Sequence, residues 1–142
     1  MRGRYISVLL VMPFLFICFL TGCKDDTAHT YRLQVTSYRW NGWDADYVPE
    51  EEVDLLDITA GERYTIPGFT EDTMELKVKR VSDKGLTFVT SEELCTGTET
   101  GTIYMDELLT AFTVNAEEKL ILYQPSLDEG MVYEFELMPS EE

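Results

Sequence analysis

Hydrophobic and polar residues alternate through most of the chain after residue 30. From Tyr31 to Trp40, Tyr31, Leu33 and Val35 stand against Arg32, Gln34 and Thr36, the period of two that sets one face of a strand on a core. Thr73 to Ser82 repeats it, with Met74, Leu76 and Val78 opposite Glu75, Lys77 and Lys79. Val81 breaks the phase there, which calls for a bulge near Arg80 or a strand end buried on both sides. Met131 to Met138 closes the series, with Met131, Tyr133, Phe135 and Leu137 on one face and Glu134 and Glu136 on the other.

Shorter runs fill the intervals. Val53 to Thr59 and Glu62 to Ile66 flank an Ala60-Gly61 turn, and Pro67-Gly68 ends the pair. Asp83-Lys84-Gly85 turns the chain back into Leu86 to Thr90, with Gly85 free to take a left-handed conformation. Leu109 to Val114 and Lys119 to Gln124 read as a hairpin about residues 115–118, and Pro125, Asp128 and Gly130 make the next turn. Thr102 to Met105 reads as a short edge strand. Ser91 to Gly101 has no period and reads as a surface loop; Pro49 to Glu52 is a loop with at most one helical turn, and Asp106 to Leu109 one helical turn.

One local signal is sharper than the rest. Asn41-Gly42 follows the first strand directly, and this dipeptide favours a type I′ hairpin because both central positions need positive φ. It would set Trp40 against Trp43 as a cross-strand aromatic pair.

About eight or nine short strands at hairpin spacing, without a long amphipathic helix or a repeat, predict an all-β fold: a small antiparallel β-sandwich or barrel. The predicted core is Leu33, Val35, Ile58, Tyr64, Ile66, Met74, Leu76, Val78, Leu86, Phe88, Phe112, Val114, Leu120, Leu122, Tyr133, Phe135 and Leu137. Asp128, Gly130 and Tyr133 faintly resemble the tyrosine corner of immunoglobulin domains, but two residues rather than one separate the glycine from the tyrosine, and no Cys-Trp-Cys framework accompanies them.

The first 30 residues have a different character. Arg2 and Arg4 precede an apolar run from Tyr5 to Leu20, interrupted by Ser7 and Pro13, and Leu20-Thr21-Gly22-Cys23 follows. The run is shorter than the roughly 20 residues needed to span a bilayer and carries a proline, so it reads as a cleaved signal peptide. Its end resembles the lipobox of bacterial lipoproteins. The resemblance covers residues 1–23 and implies that the Cys23 thiol is alkylated with diacylglycerol and the chain cut just before it. Residues 1–22 are then the signal peptide, residues 23–30 the lipidated cysteine and a polar tether, and residues 31–142 a single all-β domain. Each buried CH₂ of a lipid chain contributes about 0.8 kcal/mol, so two acyl chains make a stable membrane anchor at the extracytoplasmic face.

Loss of Arg2 and Arg4 takes the formal net charge from −16 to −18. Nucleic acid is excluded as a partner by that charge, and anionic lipid head groups repel the domain. Cys18 leaves with the signal and Cys23 is alkylated, so Cys95 has no intrachain disulfide partner and reads as a small buried hydrophobe.

Chemistry is harder to find. The one histidine, His29, is in the tether, which leaves no Ser-His or Cys-His pair and no Cys/His metal set in the domain. No glycine-rich phosphate motif follows a strand, so no cofactor is expected. Asp44-Ala45-Asp46 has the alternate spacing that opens a calcium loop, without the glycine and downstream acid such a loop needs, and reads as a solvated acidic turn. Tyr38, Trp40, Trp43, Asp44, Asp46 and Tyr47 form the candidate binding group: aromatic faces cover apolar faces of a ligand while carboxylates take hydroxyl or ammonium donors. Packing of the tryptophans within the hairpin explains the same residues without a ligand. The expected function is a non-catalytic binding or structural module of the cell envelope, with an envelope glycan or a cationic protein as partner. The alternative is a small carboxylate-based enzyme acting on envelope glycans.

Overall fold

The structure is a computed structural model and describes residues 31–69 and 71–139. The signal segment, Cys23 and the 24–30 tether lie outside the described residues. The eight strands are β1 (Tyr31–Asn41), β2 (Glu52–Ile58), β3 (Arg63–Pro67), β4 (Thr73–Ser82), β5 (Gly85–Thr96), β6 (Leu109–Asn115), β7 (Leu120–Tyr123) and β8 (Glu129–Pro139). All pairings are antiparallel, and among the described residues no helix occurs. The sheet order is β2-β1-β8-β7-β5-β4-β3, with β6 also paired to β5. The result is one nearly closed barrel-like sheet; among the described residues β2 and β3 end its main path unpaired on one side, and β6 branches from β5 with its other edge unpaired.

Closure depends on β5. Its first half, Gly85 to Val89, lies between β4 and β6, while Cys95 and Thr96 pair with Tyr123 and Leu122 of β7. The register shifts between Val89 and Leu94. Thr90 secures this corner: its buried hydroxyl donates to the Glu92 carbonyl at 2.6 Å and lies 3.3 Å from the Thr110 carbonyl. A bulge at a barrel corner bends the strand and breaks the period of two. That is why Ser91 to Gly101 reads as a loop from its residues, yet continues β5 to Thr96 with Leu94 and Cys95 fully buried. Within the expected 102–105 strand, the ladder is reduced to a bridge between Gly97 and Ile103; residues 49–51 are the expected loop, without a helical turn, and the expected helical turn at 106–109 does not form.

The strands predicted from alternation are present, and the β4 bulge falls between Val78 and Arg80 as expected. Their local pairings differ. β2 pairs with β1 and β3 with β4, so the Ala60-Gly61 turn is a corner between the two sheet edges; Gly61 takes φ +86° there. The 115–118 turn joins β6 and β7, which also pair elsewhere: β6 with β5, and β7 with β5 and β8. Glycine is required at the β4–β5 turn, where Gly85 has φ +152° and a Cβ would clash with the Val114 carbonyl.

The Asn41-Gly42 hairpin does not form. β1 is hydrogen-bonded along its whole length to β8, from Tyr31 opposite Pro139 to Asn41 opposite Glu129, and to β2 on its other side. β2 occupies that side from Tyr31 to Ser37, so a hairpin partner extending past Tyr38 would have to displace one of those ladders. Positive φ among the described residues is confined to Gly61, Gly85 and Gly101, so Gly42 serves close approach: its N–H donates to the Asp128 carbonyl at 2.7 Å.

Inward residues of all strands meet in one core. Fifteen of the seventeen predicted core residues are buried in it, and Tyr64 and Leu120 pack against its rim. Phe88 of β5 meets Phe135 of β8 with ring centroids 5.0 Å apart, joining the two halves of the barrel across the interior. Leu94 and Met131 complete the core. Truncation here leaves a void that the closed sheet cannot fill, so Leu76→Ala or Phe135→Ala is expected to cost about 2–5 kcal/mol in denaturant unfolding; a cost within about 0.5 kcal/mol of zero at both positions would place them outside a packed core.

Candidate functional site

The two ends of the barrel differ. Tyr31, Pro139 and the 59–62 turn lie at one end, joined by the Asp83-Lys84 turn, whose Asp83 carbonyl accepts from the Tyr31 hydroxyl at 3.1 Å. Eleven residues of β1 carry the chain about 33 Å to the other end. That distal end is built from the 42–51 loop, the start of β2, the end of β3 with the 67–72 loop, and the β7–β8 turn.

On the outer face of β1, Arg32, Gln34 and Thr36 give way to Tyr38 and Trp40. Here an apolar cluster lies outside the barrel: Cys95, Ile121, Tyr123 and Val132 are buried, with Tyr38, Trp40 and Ile103 packed against them. The 97–105 segment folds over it, held by the Tyr123 hydroxyl donating to the Thr98 carbonyl at 2.7 Å and by the Gly97–Ile103 bridge. Between this arm and the 126–127 turn runs a groove of about 530 Å³, lined chiefly by Tyr38, Trp40, Ile103, Met105, Tyr123 and Leu127. Gly130 lets the indole of Trp40 lie on β8: a Cβ there would stand 3.1 Å from Trp40 Nε1.

Tyr38 is tied into the sheet by a 3.3 Å hydrogen bond from its hydroxyl to Glu134, whose other carboxylate oxygen accepts from Lys119 at 2.8 Å. Burial and then the Glu134 charge push the Tyr38 hydroxyl up to about 12, so it stays a neutral donor at physiological pH. Cys95, at the floor of the cluster, donates its thiol to the Tyr123 carbonyl at 3.4 Å, and burial raises its pKa. A thiol in that setting is packing, not a nucleophile.

The second feature is the open mouth of the seam between β2 and β3. Near the 59–62 turn the seam is clasped by Tyr64, whose hydroxyl donates to the Asp57 carbonyl at 2.8 Å and accepts from the Thr59 N–H at 2.9 Å. Toward the distal end the strands diverge around a cavity of about 510 Å³. Glu50, Glu51, Glu52 and Asp72 line it with Arg39, Tyr47 and Phe69, and the Arg39 guanidinium sits 5.4 Å from the Phe69 ring centroid. Ser37 and Met131 contribute from the barrel interior. The Tyr133 hydroxyl donates to the Pro67 carbonyl at 2.9 Å, fixing β8 to the end of β3 beside this mouth.

The predicted binding group is therefore divided. Trp40 and Tyr38 enter the outer groove and Tyr47 lines the seam mouth, whereas Trp43, Asp44 and Asp46 lie exposed on the 42–51 loop. Trp43 is 76% exposed and makes no pair with Trp40. Asp44 caps its own turn, accepting from the Asp46 N–H at 3.0 Å and, through its carbonyl, from the Tyr47 N–H at 3.2 Å. Among the described residues no three His, Cys, Asp or Glu side chains stand together to hold a metal. Tyr123, Ile103 and the mouth residues other than Tyr38 and Tyr47 escaped the sequence reading because they come from separate segments of the chain. The one signal available was the replacement of polar by aromatic residues on the outer face of β1.

Acidic crowding at this end has a measurable consequence. Burial and then the Glu71 charge raise the Glu92 pKa above the ordinary carboxylate value, so the folded state holds that proton more tightly than the unfolded chain. Stability is therefore lost as pH rises through the window above the ordinary value, and ionised Glu92 is unfavourable at neutral pH. Glu92→Gln is expected to raise Tm at pH 7, with the gain disappearing below about pH 4; an equal gain at both pH values would show that ionisation is not the cause.

No family model matches the chain, and no curated protein and no solved structure matches it, so the chemistry of its own residues carries the functional reading.

Proposed function

We propose that this chain is a lipid-anchored, extracytoplasmic protein of the bacterial envelope that acts without catalysis, binding a partner at the end of its barrel farthest from the anchor. The observation that carries this reading is the run of β1. It leaves the tether at Tyr31 and delivers Tyr38, Trp40 and the 42–51 loop to the opposite end, beside both cavities. With an anchor at Cys23, residues 24–30 add at most about 25 Å of reach to the barrel's own length. A net charge of −18 for the chain after Cys23 opposes contact with anionic head groups and favours this end-on presentation.

The aromatic groove fits an apolar or sugar-ring ligand face, and the acidic mouth fits a cation. Both rest on a rigid sheet, which is how loops and strand ends acquire binding roles.

Two measurements test the reading. Mass spectrometry of the membrane fraction should find Cys23 as a lipid-modified N-terminus, and Cys23→Ala should release the protein from the membrane; unchanged membrane association in that variant would refute the anchor. Wall glycans and cationic peptides should bind the protein without turnover, and Trp43→Ala should leave Tm within about 1–2 °C because its ring is exposed. Turnover abolished by a single Asp or Glu substitution would favour an enzyme acting on envelope glycans instead.

A further inference from the structure

We infer that the mouth of the β2/β3 seam is a docking site for an extended basic polypeptide segment, which inserts a lysine or arginine side chain among Glu50, Glu51, Glu52 and Asp72. This inference rests on the distal-end reading above and names the partner's chemistry.

Charge is the first observation. Four carboxylates line the mouth, and the basic residue among the lining residues is Arg39. Arg39 lies over the ring of Phe69, leaving the acids in excess at a place where the sheet is already open. No three of them are placed to share a metal ion, so the complement is a larger, hydrogen-bonding cation carried on a side chain.

A buried hydroxyl is the second. Ser37 is 1% exposed, faces inward in register with Leu33 and Val35, and lines the mouth, yet its Oγ has no hydrogen-bond partner among the described residues. Its cross-strand neighbour is Glu52. Two rungs deeper, at the next inward-facing pair, Asp54 stands opposite Val35 and its Oδ2 is also buried without a partner among the described residues. Orphaned polar atoms are costly, and a side chain entering from the mouth with N–H donors would satisfy them.

Edge geometry is the third, and it selects an extended segment over a small free cation. β2 and β3 are each paired on one side, so the mouth is flanked by two strand edges with unpaired backbone groups. An extended chain can add its own backbone hydrogen bonds to either edge while its side chain enters between them.

The test uses the full chain in nonionic detergent and a fluorescein-labelled hexalysine peptide, with affinity read by fluorescence anisotropy. Glu50→Gln/Glu51→Gln/Asp72→Asn should weaken binding at least tenfold. The same charge change at the opposite end, Asp83→Asn/Glu117→Gln/Glu118→Gln, should alter it less than twofold. Ser37→Ala should weaken binding severalfold with Tm unchanged or raised, since the hydroxyl it removes is unpaired in the free protein. Equal weakening by both triple variants would overturn the site in favour of general charge attraction. So would absence of hexalysine binding, unchanged affinity in Ser37→Ala, or displacement of the peptide by spermidine at equal concentration of positive charge. Failure of this site leaves the distal-end reading intact if glycans still bind, whereas loss of membrane association or of every ligand would remove the broader reading too.

Discussion

The barrel depends on burying Phe88 against Phe135. These rings come from strands on opposite walls, and their contact at 5.0 Å commits β4, β5 and β6 to pack on β1, β8 and β7. Phe112 and Tyr133 extend the aromatic layer, with centroids 6.0 Å from Phe88 and 6.4 Å from Phe135. A single antiparallel sheet of this kind is stable only when its apolar face is covered, and here it covers itself. The bend of β5 at Thr90 follows from that need: one strand must serve both walls, and the hydroxyl of Thr90 takes up carbonyls near the bend.

Self-coverage without full closure leaves a seam. β2 and β3 follow each other in the chain but pair outward, to β1 and β4, and Tyr64 clasps them where the connection is short. At the far end no such clasp joins β2 to β3 among the described residues; the Tyr133 hydroxyl holds the end of β3 to β8 instead, and acidic residues occupy the gap. The same end carries an apolar cluster on the outside of the sheet, roofed by the 97–105 arm. Irregular backbone, exposed apolar surface and unpaired polar atoms thus gather at one pole, while the pole bearing both ends of the described chain is regular. This segregation is what supports the proposal of a protein held at one pole and binding at the other.

Acidity would give the proposed arrangement a direction. With the proposed anchor at Cys23, charge repulsion from an anionic surface would favour the pole remote from it, and the carboxylates around the seam mouth would attract a positively charged partner from about a Debye length. Crowding has a cost: Glu92 near the Glu71 charge and the orphaned Asp54 Oδ2 lower the stability of the fold.

Alternation along Tyr31–Asn41, Thr73–Ser82 and Glu129–Pro139 determined the all-β class, the principal strands and nearly the whole core, because which face of a strand is apolar is a local property of the residues. The sequence also placed Tyr38 and Trp40 together in the candidate binding group, and both line the outer groove. Pairing partners were decided by tertiary structure alone. Asn41-Gly42 favours a hairpin locally, and it lost to the β8 ladder that runs the length of β1 and the β2 ladder that occupies the other side from Tyr31 to Ser37. Glu92 and Glu93 hid a strand because a bulge at a barrel corner removes the period that reveals strands. The seam mouth was illegible for the same kind of reason: Ser37, Glu52 and Phe69 come from three separate segments, and they meet only because the closing sheet brings the start of one edge strand beside the end of the other.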